Sequence, residues 1–142
     1  MENRYLYKAK RLDNREWVQG ALFDGESHCI IGQEIKFSPY IEHECKIVGY
    51  EVDRSTICQC TDLKDKNGKL IWENDVVRDE NGNFYKAIWQ NNHYQFSWVC
   101  VKSDVFFTGV KWDLWSFKSF EIEVIGNIFD NKKLLESEGQ YD

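Results

Sequence analysis

Thr56-Ile57-Cys58-Gln59-Cys60-Thr61 reads as a short strand, and Lys64-Asp65-Lys66-Asn67-Gly68-Lys69 after it reads as a turn with Asn-Gly at its tip. Asn and Gly tolerate the positive φ that tight hairpins need. Leu70-Ile71-Trp72 follows as a set of apolar anchors, Glu73-Asn74-Asp75 breaks the run, and Val76-Val77 opens another strand. Asp79-Glu80-Asn81-Gly82 is a further turn.

Downstream the pattern continues. Asn83–Gln90 carries Phe84, Tyr85, Ala87, Ile88 and Trp89. His93–Val101 alternates, with Tyr94, Phe96, Trp98 and Cys100 on one face and His93, Gln95, Ser97, Val99 and Val101 on the other, which predicts a half-buried strand. Val105–Val110 is expected to be another strand, closed by Gly109. Trp112–Phe120 is expected to form a short helical turn or an aromatic loop. Glu121–Ile128 is a final strand with Ile122, Val124, Gly126 and Ile128 on one face, and a short helix is expected to start near Asn131.

Upstream, weakly alternating Arg4–Leu12 and Glu16–Phe23 read as two strands. Asp24-Gly25 is a hairpin signal, and His28–Ile31 returns from it. Ile41–Gly49 carries no helix stripe and stays unassigned. The expected organisation is a β-rich N-terminal part over residues 1–55, a small barrel over 56–130 and a short tail over 131–142. Strands with turns every eight to twelve residues suggest a small barrel or sandwich.

Composition fits this. The chain has 142 residues, 42% apolar and 30% charged, so it is globular. Six Trp, seven Tyr and nine Phe supply enough ring area to build a core. The net charge of −6 argues against non-specific nucleic-acid binding, which depends on neutralising phosphates. The exception is the N-terminal strand, where Lys8, Lys10, Arg11 and Arg15 make nucleic acid the alternative partner class. Five cysteines, no apolar stretch after Met1–Arg4 and no membrane-length apolar run suggest a cytoplasmic protein with reduced thiols.

Tyr50–Ile57 followed by Thr61-Asp62-Leu63-Lys64-Asp65-Lys66-Asn67-Gly68-Lys69-Leu70-Ile71-Trp72-Glu73-Asn74-Asp75-Val76-Val77 resembles the central signature of the YopX-type family of phage and prophage proteins. Ile122–Asn131 resembles its closing signature, and Tyr5–Trp17 resembles its opening segment more loosely. The resemblance runs from about residue 4 to residue 135. It implies a C-terminal barrel of the Src-homology-3 type and no reaction. Four positions depart from the family pattern. Asp62 and Asn74 stand where glycine is usual, Arg54 where proline is common, and Cys60 where the family has an aromatic. Asn74 can hold the positive φ that glycine supplies, and Asp62 is the next best residue if its site needs the same.

The chemical motifs are weak. Asp65, Asn67 and Asp75 lack the spacing of a calcium loop, and Asp75 is expected to cap turn amides instead. Cys58 and Cys60, with His28-Cys29 or with His43 and Cys45, do not have zinc spacing, and buried thiols are favoured. His93 and Cys100 lie on opposite strand faces, and Glu121 and Glu123 suggest a solvated rim rather than an acid–base pair. No enzyme, cofactor or metal is expected. The remaining candidates are aromatic: Trp112 and Trp115 flank a loop and could line an exposed groove for a protein partner. With the phage origin that the resemblance implies, the expected function is a non-enzymatic phage accessory protein that binds a host or phage protein, with a homo-oligomer as a further expectation.

Overall fold

A computed structural model describes residues 5–36 and 45–135. These residues form eleven strands and a few 3₁₀ turns, with no α-helix among them. The chain divides into two compact units, Met1–Cys60 and Thr61–Asp142.

The first unit is an antiparallel sheet with strand order β4-β3-β2-β1-β5. Its strands are β1 (Tyr7–Lys10), β2 (Trp17–Asp24), β3 (Cys29–Lys36), β4 (Cys45–Glu51) and the first residues of β5 (Cys58–Lys64). The Asp24-Gly25 turn forms as expected, with Gly25 N–H donating to His28 O at 2.9 Å. The described part of the unassigned stretch, from Cys45 on, belongs to edge strand β4, paired with β3 from Ile30–Glu51 to Lys36–Cys45. In that ladder Gly32 lies directly opposite Gly49. A Cβ on Gly32 would sit 2.1 Å from Val48 O, so the two backbones approach too closely for any side chain. The core is small: Ala9, Cys29, Ile31 and Val52, with Tyr7, Val18, Leu22 and Ile57 packed against it.

A 3₁₀ turn, Arg54–Thr56, precedes β5. Asp53 caps it by accepting from Ser55 N–H at 3.0 Å. Arg54 is the first residue of the turn, where proline's fixed φ and missing N–H are both tolerated. Proline, the residue that the resemblance leads one to expect there, would fit this position. In this chain Arg54 instead pairs with Asp24.

In the second unit the end of β5 is followed by β6 (Leu70–Trp72), β7 (Asp75–Asp79), β8 (Phe84–Gln90), β9 (Gln95–Lys102), β10 (Lys111–Asp113) and β11 (Ile122–Asn127). The last five form an antiparallel sheet, β10-β9-β8-β7-β11. The ladders leave β10 and β11 as its two ends, so the strand pairing gives an open sheet. Tyr85, Ala87 and Trp89 of β8 lie opposite Cys100, Trp98 and Phe96 of β9 and share one face. Trp98 is fully buried, and its Nε1–H donates to Leu114 O at 3.0 Å. Burying a ring of this size stabilises strongly once its polar edge is satisfied.

Two expectations need correcting. The face of β9 expected to be wet is largely buried as well: Ser97 is 1% and Val101 6% exposed. Ser97 tolerates burial because its hydroxyl donates to the Gln90 side-chain oxygen. Tyr94 lies in the turn before β9 and is exposed. The strand expected over Val105–Val110 is a loop. Ser103 Oγ accepts from Val105 N–H (3.0 Å) and Phe106 N–H (2.9 Å), and Gly109 adopts φ +94. A hydroxyl that captures backbone amides, together with a left-handed glycine, stops the ladder.

Candidate functional site

Two turns of the second unit share the pattern Asp-x-Asn-Gly-x, at residues 65–69 and 79–83. Their hydrogen bonds correspond one to one. Asp65 O accepts from Gly68 N–H (3.0 Å), and Asp65 Oδ1 accepts from the N–H groups of Asn67 and Lys69, both at 2.9 Å. Asp79 O accepts from Gly82 N–H (3.2 Å), and Asp79 Oδ1 accepts from the N–H groups of Asn81 and Asn83, both at 2.9 Å. Gly68 and Gly82 hold φ +79 and +81, which only glycine adopts without strain.

The second carboxylate oxygens differ. Asp65 Oδ2 accepts from Val124 N–H of β11 at 2.9 Å, tying the hairpin tip to a distant strand. Lys66 N–H donates to Ile122 O at 3.0 Å beside it. Asp79 Oδ2 accepts from Tyr85 OH (2.8 Å) and Asn83 Nδ2 (3.0 Å). Burial pushes both carboxyls up, but the surrounding donors outweigh it and hold both below the usual carboxylate range. Burial and the Asp79 charge push the Tyr85 hydroxyl up.

The Asp79 turn forms one side of a cleft of about 350 Å³. Asp79, Glu80, Glu121 and Tyr85 line its polar side, and Phe106, Phe117 and Phe120 form an aromatic wall. The wall is braced from behind. Trp112 packs edge-on against Tyr85 (5.3 Å between centroids) and Phe106 (5.0 Å), and Phe117 packs on Tyr85 at 4.7 Å. The ring cluster thus runs from buried Trp98 and Tyr85 out to Phe106, which is 39% exposed, while Phe120 lines the cleft and is 65% exposed.

Trp112 and Trp115 take different places. Trp112 is half-buried in this cluster, whereas Trp115 is 80% exposed. Neither lines the cleft directly. Around them the loop exposes Val105 (77%) and Phe107 (86%).

The other candidates do not converge. Cys58 and Cys60 are buried on one face of β5, while Cys29 is buried and its neighbour His28 is exposed beside Glu51. His43, and the side chain of Cys45, lie outside the described residues. Among the described residues no group of three or more His, Cys, Asp or Glu side chains could hold a metal ion. His93 lies in the exposed turn before β9, and Cys100 is buried near the far end of that strand, where burial pushes its thiol up. Glu123 bonds Asn67 and Arg78 and lies 3.9 Å from Lys66, contacts that hold its carboxyl below the usual carboxylate range. Asp75 caps the turn as expected, with Oδ2 accepting from Trp72 N–H at 2.8 Å.

In the first unit Arg11 pairs with Asp13 and stacks 3.8 Å over Tyr50, Arg15 pairs with Asp53, and Lys8 and Lys10 lie over Trp17. An open trough of about 570 Å³ over Gly32 and Gly49 is lined by Val18, Gln19, Ile31, Val48 and Tyr50, and among the described residues no charged side chain lines it.

Asp62 and Asn74 both hold left-handed backbone, at φ +68 and +71. Both stand where the resemblance placed glycine. Asp65 and Asp79 were missed as structural centres, although the repeated Asp-x-Asn-Gly pattern was visible in the sequence. No curated protein matches the chain, but the sequence model of the YopX protein family matches residues 6–136. That match spans the opening, central and closing signatures, so the chain belongs to the YopX protein family.

Proposed function

We propose that the chain is a non-enzymatic, cytoplasmic phage accessory protein that binds a host or phage protein through the exposed rings of its second unit. The observation that carries this is the cluster of apolar exposure between Val105 and Phe120, where Phe107, Trp115 and Phe120 show most of their surface to solvent. Large exposed apolar groups are costly unless a partner covers them, and aromatic residues dominate binding hot spots. The loop that presents Val105–Phe107 is also pinned by the Ser103 bonds, so little ordering entropy remains to be lost on binding.

An SH3-like barrel is the fold class that best suits this unit. Support comes from its order: a meander β7 to β10, two 3₁₀ turns, and β11 returning beside β7. A non-enzymatic role is supported by where the reactive groups are spent. The Asp65 and Asp79 oxygens are occupied by N–H and O–H donors, and the Cys29 and Cys100 thiols are raised by burial. Nucleic-acid binding through Lys8, Lys10, Arg11 and Arg15 has less support, because both arginines already serve acidic neighbours. The absence of a gel shift at low salt would end that alternative.

The test uses the full chain as bait in host extract beside the double variant Phe107→Ser/Trp115→Ser. Wild type should retain a specific protein that the variant loses, with equal melting temperatures. Equal retention by both would place the binding face elsewhere. A second copy of the chain as the occupant would show as dimer in sedimentation, again lost in the variant.

A further inference from the structure

We infer that the cleft between the Asp79 turn and the Phe106–Phe117–Phe120 wall takes a cationic side chain of the partner, arginine ahead of lysine. This inference rests on the protein-binding reading. Three carboxylates, Asp79, Glu80 and Glu121, line the cleft. Among the described residues no ion pair joins any of them to a cation, and the neighbouring Arg78 and Lys66 both go to Glu123. Asp79 is held by neutral donors alone, from Asn81, Asn83 and Tyr85, so its charge is solvated but not cancelled.

The sign of that charge selects the occupant. An apolar side chain entering the cleft would strip water from the carboxylates and return nothing. An anionic one would be repelled. A cation recovers the lost solvation from the carboxylates and finds three aromatic rings lining the same cleft. Arginine suits the geometry better than lysine. Its guanidinium is planar, stacks on rings, sheds water more readily and can bridge two carboxylates. Trp112 packs against Phe106 and Phe117, so these two rings of the wall are held in place without the ligand. The neighbouring exposed rings, Phe107 and Trp115, would cover apolar residues flanking that arginine. The partner segment is therefore basic and apolar together, which suits a chain whose own net charge is −6.

The experiment titrates the ¹⁵N-labelled full chain with N-acetyl-arginine methylamide, with the lysine analogue, and with the uncharged isostere N-acetyl-citrulline methylamide. The arginine probe should give saturable shifts of the Asn81, Asn83 and Glu121 amides. Lysine should bind more weakly, and citrulline about tenfold more weakly or worse, because it lacks the charge. Glu80→Gln/Glu121→Gln, whose spectrum should otherwise stay that of the folded chain, should weaken the arginine probe by a similar factor. Equal binding of citrulline, or no shift at those amides, overturns the inference. Loss of the probe effect with partner capture intact would sink this inference alone. Probe binding without any partner capture would sink the protein-binding reading instead.

Discussion

The two Asp-x-Asn-Gly-x turns have the same backbone and the same first carboxylate oxygen, yet they serve different ends. At Asp65 the second oxygen is spent on Val124 N–H, 59 residues away, and the turn becomes a latch on β11. At Asp79 it is spent on Tyr85 and Asn83, six and four residues away, and the turn becomes one side of a cleft. Local sequence dictates the turn, and tertiary surroundings dictate its use. One turn contributes to the fold of the unit, and the other, already satisfied within its own hairpin, is left to face solvent and a ligand.

The core sets the scale against which both turns are judged. Trp98→Ala removes a fully buried ring with a satisfied N–H, and should cost about 3–5 kcal/mol in a urea melt. An unchanged melt would show that the inner face of β9 is assigned backwards. Asp65→Ala comes next. It leaves three backbone N–H groups without their acceptor in a nearly buried site, and should cost about 3 kcal/mol. Asp79→Ala should cost less, about 2 kcal/mol, because its turn lies closer to water and one of its donors is a hydroxyl that can turn to solvent. If Asp79→Ala proves the more damaging, the latch and the cleft wall have been assigned the wrong way round.

Acid should act on both turns at once. Both native carboxyls lie below the unfolded value of about 3.9. The stability they contribute is complete above that value and is lost as pH falls through the lower native values. Melts followed from about pH 6 down to about pH 2 should be flat at first and then decline, and the Asp65→Asn protein should show a shallower decline. A wild-type profile that falls already above about pH 5 would point to other groups.

The smallest expected effect concerns the left-handed residues. Asp62→Gly should leave stability unchanged or raise it by about 0.5–1 kcal/mol, since glycine relieves the cost of φ +68. A loss larger than about 1 kcal/mol would mean that the Asp62 side chain, rather than its backbone, holds the site.

These residues also show what could be read from the chain. Asn74 and Asp62 were legible because the resemblance places glycine at both positions, and Asn and Asp are the residue types for which glycine's left-handed backbone is cheapest. The inner face of β9 was legible because Phe96, Trp98 and Cys100 alternate. Burial of Ser97 on the other face was not, because it depends on Gln90 of the neighbouring strand. The loop over Val105–Val110 was misread because its residues favour strands, while Ser103 and Gly109 override that preference. The cleft was least legible of all. Its walls come from the Asp79 turn, from Phe106 and from Phe117–Glu121, segments that no short-range pattern connects. Of the two tryptophans singled out, Trp112 braces that wall and Trp115 remains on the surface, a distinction that spacing could not make.

The division of labour between the turns is tested most directly by melting Asp65→Asn and Asp79→Asn side by side and titrating each, while folded, with N-acetyl-arginine methylamide. Asp65→Asn should lose the greater stability and keep its probe affinity within about twofold, whereas Asp79→Asn should keep more stability and bind the probe about tenfold more weakly. Unaltered probe affinity in Asp79→Asn, or an equal loss in both proteins, would contradict the assignment of one turn to the fold and the other to recognition.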